Sequence, residues 1–594
     1  MSFDFHRGAA EHEPAWEDLQ VALQRWVLAH GGSAQLTRIA GWASLADAQG
    51  HAALDLCAGS PGLEALDADA IAALRAQPLV GDGQATTAFV IDAAGRFFLW
   101  RNHAREVAIA AQVHARAAPL QLPQPQPEDV DILFQGRREP AIEAQRAAVA
   151  GLPLQRIGVL TGGPGTGKTT TVLRVLAMAQ RLRACIGQAP ARIAIAAPTG
   201  KAAQRLVQAL REGKRALQAG AHALPEDWHA LLATIPDAQA TTVHRLLGYR
   251  PWDGRHARDA QSPLDADIVV IDEASMLDLA QLHALLQALP AQAQLLLVGD
   301  ADQLTSVGTG TVLMDLVAAF AGSARLQRLT HVFRSAQAPL LTRAVQAART
   351  GDAPALHAAL ADGGDELRMN PVADMPGLLA RLHAWADMLA ALPLRGNPGA
   401  PADAARALAA LDALASHQLL TALREGDFGS DACNARIEQR LRLRWELPAE
   451  QPWFPGRALM VTRNDPANGL FNGDVGVCLD DGGGGVRVWF ETSSRDGARH
   501  ARSLPPAALP EHAGAFAATI HKSQGSEYAQ VALLLPPDPA HRILSRQLLY
   551  TGLSRARQSV QLWATPAATD AALAHLVARV GGLRERLLAV AGGA

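Results

Sequence analysis

Between about residues 130 and 335, short apolar runs alternate with longer amphipathic segments. Arg156 to Leu160, Arg192 to Ala197, Ile268 to Ile271 and Gln294 to Val298 carry little polar alternation, so each reads as a strand buried on both faces. Strands of that kind separated by helical patterns predict a doubly wound α/β domain, with ligands at the carboxyl ends of the strands. Upstream, Trp16 to His30 and Asp67 to Gln77 have helical periodicity. Thr87 to Asp92 and Arg96 to Arg101 read as a hairpin around Ala93-Ala94-Gly95. Pro119 to Pro127 is Pro-rich and predicts a linker over about 116–130. Residues 336–430 are helical and Ala-rich, broken by a Pro/Gly loop from Leu394 to Ala402. Arg457 to Thr462, Gly476 to Leu479 and Val486 to Glu491 are short strands between Gly-rich turns, the pattern of a small β insert. After about 514 the α/β pattern resumes, and Asp570 to Val590 reads as a closing amphipathic helix.

Composition changes this picture little. At 594 residues several domains are expected, and 49% hydrophobic with 19% charged residues suits a folded chain. No run of 18 uncharged apolar residues predicts a membrane span, and the acidic start lacks a secretory h-region. Cys57, Cys185, Cys433 and Cys478 form no CxxC pair, which fits a reducing cytoplasm better than a zinc site or disulfide framework. The net charge of −3 is unusual for a nucleic-acid binder, but a local groove of donors suffices. Of 54 cationic residues only four are lysines: Lys168, Lys201, Lys214 and Lys522. A lysine kept in so Arg-rich a chain hints at a site needing a compact ammonium.

Lys168 sits in such a site. Gly162, Gly163, Pro164, Gly165, Thr166, Gly167, Lys168, Thr169 and Thr170 follow a predicted strand and open a predicted helix, which is the context of a P-loop. Backbone N–H groups there cradle the phosphates of ATP, Lys168 offsets their charge, and Thr169 takes a Mg²⁺ position. Asp272 and Glu273 end an apolar strand about a hundred residues on. Asp272 is placed to hold Mg²⁺, and Glu273 to orient and deprotonate the attacking water. Asp300 and Gln303 repeat the arrangement on another strand, where Gln303 can sense the γ-phosphate or simply be part of a polar loop.

Five further segments follow: Ala197 to Ala203, Thr241 to Gly248, Leu329 to Arg334, Thr519 to Glu527 and Tyr550 to Arg557. With the two ATP motifs, their order and spacing over about 140–565 resemble superfamily 1 helicases. That resemblance implies two RecA-like domains with ATP between them, an adenine-reading Gln145, and Arg334 and Arg555 as arginine fingers. It also implies that Thr199, Lys201, Thr242, His244, Thr519, His521, Lys522 and Ser523 contact single-stranded DNA. On residue type alone, either arginine is as readily a surface ion pair and either histidine a core residue.

Leu423 to Gly429, Arg463 to Asp465, Leu470 to Gly476 and the Leu99-Trp100-Arg101 segment narrow the match. Across the chain they resemble the RecD family, alpha subunits of bacterial exodeoxyribonuclease V (RecBCD). The family implies 5′-to-3′ movement on single-stranded DNA, RecB- and RecC-type partner subunits, action at double-strand breaks, and a DNA contact at Asn472. It also implies a partner-docking domain over 1–115, RecA-like domain 1 over 131–335 and domain 2 over 336–430 and 515–594, with an SH3-like insert at 431–514. Tyr249 to Leu264 lies where relatives carry a strand-splitting hairpin. Trp252 there either stacks on a base or packs under the loop. Gly552, Ser554 and Phe333 depart from the more usual Ala, Thr and Tyr. No second acidic cluster suits a two-metal nuclease, so nuclease activity is expected on a partner. The rival readings are a free-standing RecD2-type helicase, a non-motor ATP-binding clamp subunit, and an ATPase acting on RNA.

Overall fold

The computed structural model describes residues 16–59, 63–219, 224–237, 241–333, 338–396, 400–448, 451–493 and 499–589. They fall into two compact units, 1–332 with 578–594, and 333–577.

The first unit is built on a six-stranded parallel sheet. Its order is Leu326–Leu329, Ile157–Gly162, Gln294–Gly299, Ile268–Ile271, Ile193–Ala197, Thr241–Thr242. The four strands read from apolar runs are all present. Their lack of polar alternation has a direct cause: Val269, Ile271, Leu295 and Leu297 enter the core on one face, while Ile268, Val270, Leu296 and Val298 enter the core on the other. The two edge strands escape a pattern reading. Thr241–Thr242 is two residues long, and Leu326–Leu329 carries Gln327 and Arg328.

Residues 16–115 form a four-stranded sheet, Ala53–Asp55, Arg96–Leu99, Phe89–Ile91, Val80–Gly81, with helices around it. The predicted hairpin is there, turning at Gly95. The expected boundary after 115 is not. Helix Trp100–Ala115 places Ile109, Ala110 and Val113 in the same core as Leu282 and Leu285 of helix Leu279–Ala288, so this layer and the parallel sheet are one compact unit. Nor does the Pro-rich stretch hang free. Leu120 N donates to Leu154 O (2.7 Å), and Pro127 opens helix Pro127–Leu133, where its missing N–H costs nothing.

The predicted closing helix is two helices in different units. Pro566–Ala574 belongs to the second unit, and Leu583–Ala589 packs in the first beside Ile109 and Leu282. Gly581 and Gly582 interrupt the periodicity, and the buried Glu106 carboxylate accepts from Gly582 N (3.0 Å). The expected extent of the second domain, 515–594, therefore stops at Val577.

The second unit holds a five-stranded parallel sheet, Leu367–Asn370, Ala556–Trp563, Tyr528–Leu534, His417–Thr421, Ala517–Thr519. Beside it lies a five-stranded antiparallel sheet, Arg499–Leu504, Val486–Ser493, Val475–Asp480, Ala458–Val461, His512–Gly514. Helix Ala404–Ser416 covers one face of that small sheet, with Ala407, Ala410 and Leu411 against Val477, Leu479 and Ala501. Among the described residues no helix is long and apolar enough to cross a membrane.

Candidate nucleotide site

Three neighbouring strands of the first sheet end at the candidate site. Ile157–Gly162 runs into the Gly-rich loop, Gln294–Gly299 into Asp300 and Gln303, and Ile268–Ile271 into Asp272 and Glu273. The loop turns through left-handed Gly165 (φ 76°) and Gly167 (φ 81°) into helix Lys168–Cys185, whose N-terminus has no side-chain cap and carries the positive end of the helix dipole. Gly162 is there because nothing larger fits: a Cβ would lie 2.6 Å from Leu329 O and 2.9 Å from Thr166 Oγ1. Lys168 Nζ donates to the carbonyls of Gly162 (2.7 Å) and Gly163 (3.1 Å), and Thr166 Oγ1 donates to Gly163 O (2.8 Å). Thr169 is half-buried and Thr170 exposed on the first turn.

Glu273 adopts a left-handed backbone, φ 51° and ψ 42°, rare for a side chain with a Cβ. Strain of that kind persists where the surroundings over-determine it, and here it turns the chain sharply after Asp272. Asp272 Oδ1 accepts from Glu273 N (2.9 Å). Burial and the Glu273 carboxylate push the Asp272 carboxyl up to about 7, while Lys168 and the Glu273 N–H pull it back. The P-loop ammonium and the strand-end carboxylates thus feel each other's charge. Gln303 is buried and donates through Nε2 to Asp300 Oδ2 (3.0 Å), while its Oε1 has no partner among the described residues. A buried acceptor without a donor is costly, and one beside a phosphate loop suits a polar ligand.

Gln145 lies on helix Glu143–Gly151, buried, with Nε2 donating to Thr166 O (3.0 Å). Its amide braces the phosphate loop itself, a role its position in the sequence does not reveal.

The candidate DNA contacts fall into distinct places. Thr199 follows one, and Thr242 ends the other, of the two strands on the far side of Ile268–Ile271 from the P-loop strand. Both hydroxyl oxygens cap helices, accepting from Ala202 N and Arg245 N (3.2 Å each). Lys201 is half-buried, and His244 is exposed, with its ring edge-on to Tyr249 at 5.2 Å. Tyr249–Arg250 and Arg255–His256 form a two-stranded hairpin, and Trp252 between them is 80% exposed. Of the two readings open for Trp252, packing under the loop is ruled out.

In the second unit, Thr519 Oγ1 accepts from Lys522 N (3.3 Å) at the 3-10 turn His521–Ser523. Lys522 is exposed and His521 half-buried, but Ser523 is fully buried with its hydroxyl donating to Ile520 O (2.7 Å). Ser523 therefore braces the turn and does not face a strand. Asn472 is exposed, its N–H held by Asn464 Oδ1 (2.8 Å). Arg555 follows helix Arg546–Leu553 and is buried, donating to Thr551 O, Ser526 O and Ser554 Oγ at 3.1–3.3 Å. Arg334 lies outside the described residues.

Residues 145–309 match the model of an AAA domain, and residues 514–563 that of a UvrD-like helicase C-terminal domain. The RecBCD enzyme subunit RecD of Mycolicibacterium smegmatis is 36% identical over 593 residues, covering 97% of each chain. That of Mycobacterium tuberculosis is 36% identical over 523 residues, covering 88% of this chain and 84% of its own. The chain belongs to the RecD family. The ATP-dependent RecD2 DNA helicase of Deinococcus radiodurans is also similar, 33% identical over 423 residues, but this chain spans only 48% of it.

Proposed function

We propose that this chain is an ATP-driven motor that moves 5′ to 3′ on single-stranded DNA. In this reading it serves as the RecD-type subunit of an exodeoxyribonuclease V complex with RecB- and RecC-type subunits at broken duplex ends. The observation that carries the ATPase half is the convergence of Lys168, Gln303 and the Asp272–Glu273 pair at three adjacent strand ends. Membership of the RecD family carries the choice of polymer, direction and partners. The small antiparallel sheet is read as the SH3-like insert and residues 1–115 as the partner-docking layer.

The residues fit ATP and Mg²⁺. The loop admits no Cβ at Gly162, and among the described residues Gln303 keeps a buried acceptor without a donor. Loop N–H groups and Lys168 bind the phosphates, Thr169 and Asp272 hold the cation, and Gln145 steadies the loop and reads the base. Bound there, Mg²⁺ would offset charge on the phosphate oxygens. Glu273 takes the proton of the attacking water, and Gln303 senses the γ-phosphate. Arg334 and Arg555 act as fingers on the transferring group. Thr199, Lys201, Thr242, His244, Asn472, Thr519, His521 and Lys522 grip the strand, and Trp252 stacks on a base.

The test is strand displacement on duplexes with a 5′ or a 3′ single-stranded tail, with ATP and Mg²⁺, beside a Lys168→Ala control. Unwinding from the 5′ tail alone, lost in the control, supports the whole reading. Unwinding from the 3′ tail overturns the direction. DNA-stimulated hydrolysis without unwinding locates the missing part in a partner, and loss of both activities refutes the motor.

A further inference from the structure

The loop that continues from Gln303 is held from outside the nucleotide site. Arg579 Nη1 donates to the carbonyls of Gly308 (2.7 Å) and Gly310 (2.9 Å), and Nη2 donates to that of Ser306 (2.7 Å). Among the described residues this guanidinium has no carboxylate partner; loop carbonyls take its hydrogen bonds. From the N-terminal layer, Asp47 Oδ1 accepts from Thr309 Oγ1 (2.8 Å) and Gly50 O from Gly310 N (2.8 Å). Gly50 permits this close approach, since a Cβ there would lie 2.4 Å from Arg579 Cζ. On its inner side the same loop accepts, at Thr309 O, from Leu279 N (2.9 Å), the first residue of the helix that follows the Asp272–Asp278 segment. Ser306–Gly310 therefore joins the turn bearing Gln303 to the start of helix Leu279–Ala288, six residues after Glu273.

We propose that Arg579 is a positioning residue for ATP hydrolysis: it fixes the Ser306–Gly310 backbone and thereby the Gln303 amide. The inference rests on Gln303 being the γ-phosphate sensor. A rigid planar fork can meet three carbonyls of alternate loop residues at once, which a lysine ammonium on a flexible stem cannot do in the same geometry. Burying a guanidinium without an anion is costly, so its bonds to neutral carbonyls mark a loop conformation that is held in place. Arg579 is the second residue after the chain passes from the second unit into the first, and Asp47 belongs to the layer proposed to dock a partner. The sensor loop is thus clamped by the two parts of the unit that lie outside the motor's motifs.

The experiment compares full-length wild type with Arg579→Ala, Arg579→Lys and Thr309→Val, measuring DNA-stimulated ATP hydrolysis, melting temperature and amide hydrogen exchange over 300–311. For Arg579→Ala, kcat is expected to fall roughly 10- to 100-fold with the KM for ATP changed by less than about twofold, as for a misplaced sensor. Exchange over 304–311 rises while the remaining peptides keep their protection. Arg579→Lys recovers little of the loss, and Thr309→Val shifts kcat and exchange the same way by less. Unchanged kcat with unchanged exchange overturns the proposal, as does a fall in kcat, affinity and melting temperature together. If wild type hydrolyses no ATP with DNA present, the functional reading fails on its own, while the exchange data still decide whether Arg579 holds the loop.

Discussion

Asp315 offers a sharp test of how the first unit is held together. It sits on helix Val312–Ala319, directly after the clamped loop, and this helix packs against the C-terminal helix Leu583–Ala589. Its Oδ2 accepts from Thr311 Oγ1 (3.0 Å). Burial pushes the carboxyl up to about 7, against an ordinary 3.8; Glu106 and Glu585 add to the rise, and Arg584 opposes it. The folded state therefore holds the proton more tightly than the unfolded one. Stability from this group is fully present below 3.8, is lost as pH rises, and is gone above about 7. At 1.36 kcal/mol per pH unit that span sets a ceiling of about 4 kcal/mol. Residual solvent contact reduces this to about 2 kcal/mol. Asp315→Asn keeps the shape and the acceptor for Thr311 but carries no charge. Only the part of the span above pH 5 is read between pH 5 and pH 8.5, about 1 kcal/mol, so the variant's melting temperature relative to wild type should climb there by about 2 °C at roughly 2 °C per kcal/mol for a unit of this size. Melts followed by circular dichroism at several pH values give the difference directly. A gap that stays flat across pH, or narrows as pH rises, refutes the linkage.

Three more outcomes follow from the site. Glu273→Gln should cut kcat for ATP hydrolysis roughly 100- to 10,000-fold while ATP binding persists, read by phosphate release and a fluorescent nucleotide. Loss of binding instead would place Glu273 in the phosphate cradle. Trp252→Ala should leave the melting temperature unchanged, because the ring is 80% exposed, yet weaken single-stranded DNA binding by about 1–3 kcal/mol. Equal affinity by fluorescence anisotropy removes the stacking role. Gly162→Ala should destabilise the first unit by about 1–3 kcal/mol and weaken ATP binding, since its Cβ would meet the backbone oxygen of Leu329 at 2.6 Å. An unaltered denaturant midpoint would mean that the edge strand Leu326–Leu329 yields.

What the sequence revealed and what it hid divide along physical lines. The central strands were legible because burial on both faces forces an uninterrupted apolar run, as Ile268 to Ile271 shows. The phosphate loop and the Asp272–Glu273 turn were legible because their chemistry needs particular residues next to one another. Contacts made by distant segments left no such trace. The Pro-rich stretch reads as a linker until Leu120 finds Leu154, and helix Trp100–Ala115 reads as part of a separate domain until it meets Leu279–Ala288. Ser523 looked like a strand contact because its neighbours His521 and Lys522 do, yet its hydroxyl closes the turn that presents them.

The cations make the same point more sharply. Scarcity singled out the lysines, and Lys214 shows the limit of that signal: it is buried, tied to Ile235 O and Asp237, and braces structure alone. The fifty arginines carry no such mark. Many meet carboxylates in exposed or partly exposed pairs, as Arg192 does with Asp267 and Arg440 with Asp387, where each pair is worth little. Arg555 and Arg579 differ in donating to neutral oxygens beside the turns that carry motif residues. For Arg555 this has a consequence for its proposed role as a finger. Releasing bonds to Thr551 O, Ser526 O and Ser554 Oγ costs about 1 kcal/mol each, while charge-assisted bonds to a phosphoryl group are roughly twice as strong. The guanidinium then leaves its carbonyl cage only for an anion, and its departure would release the Ser526 carbonyl, three residues after Ser523 of the His521–Ser523 turn.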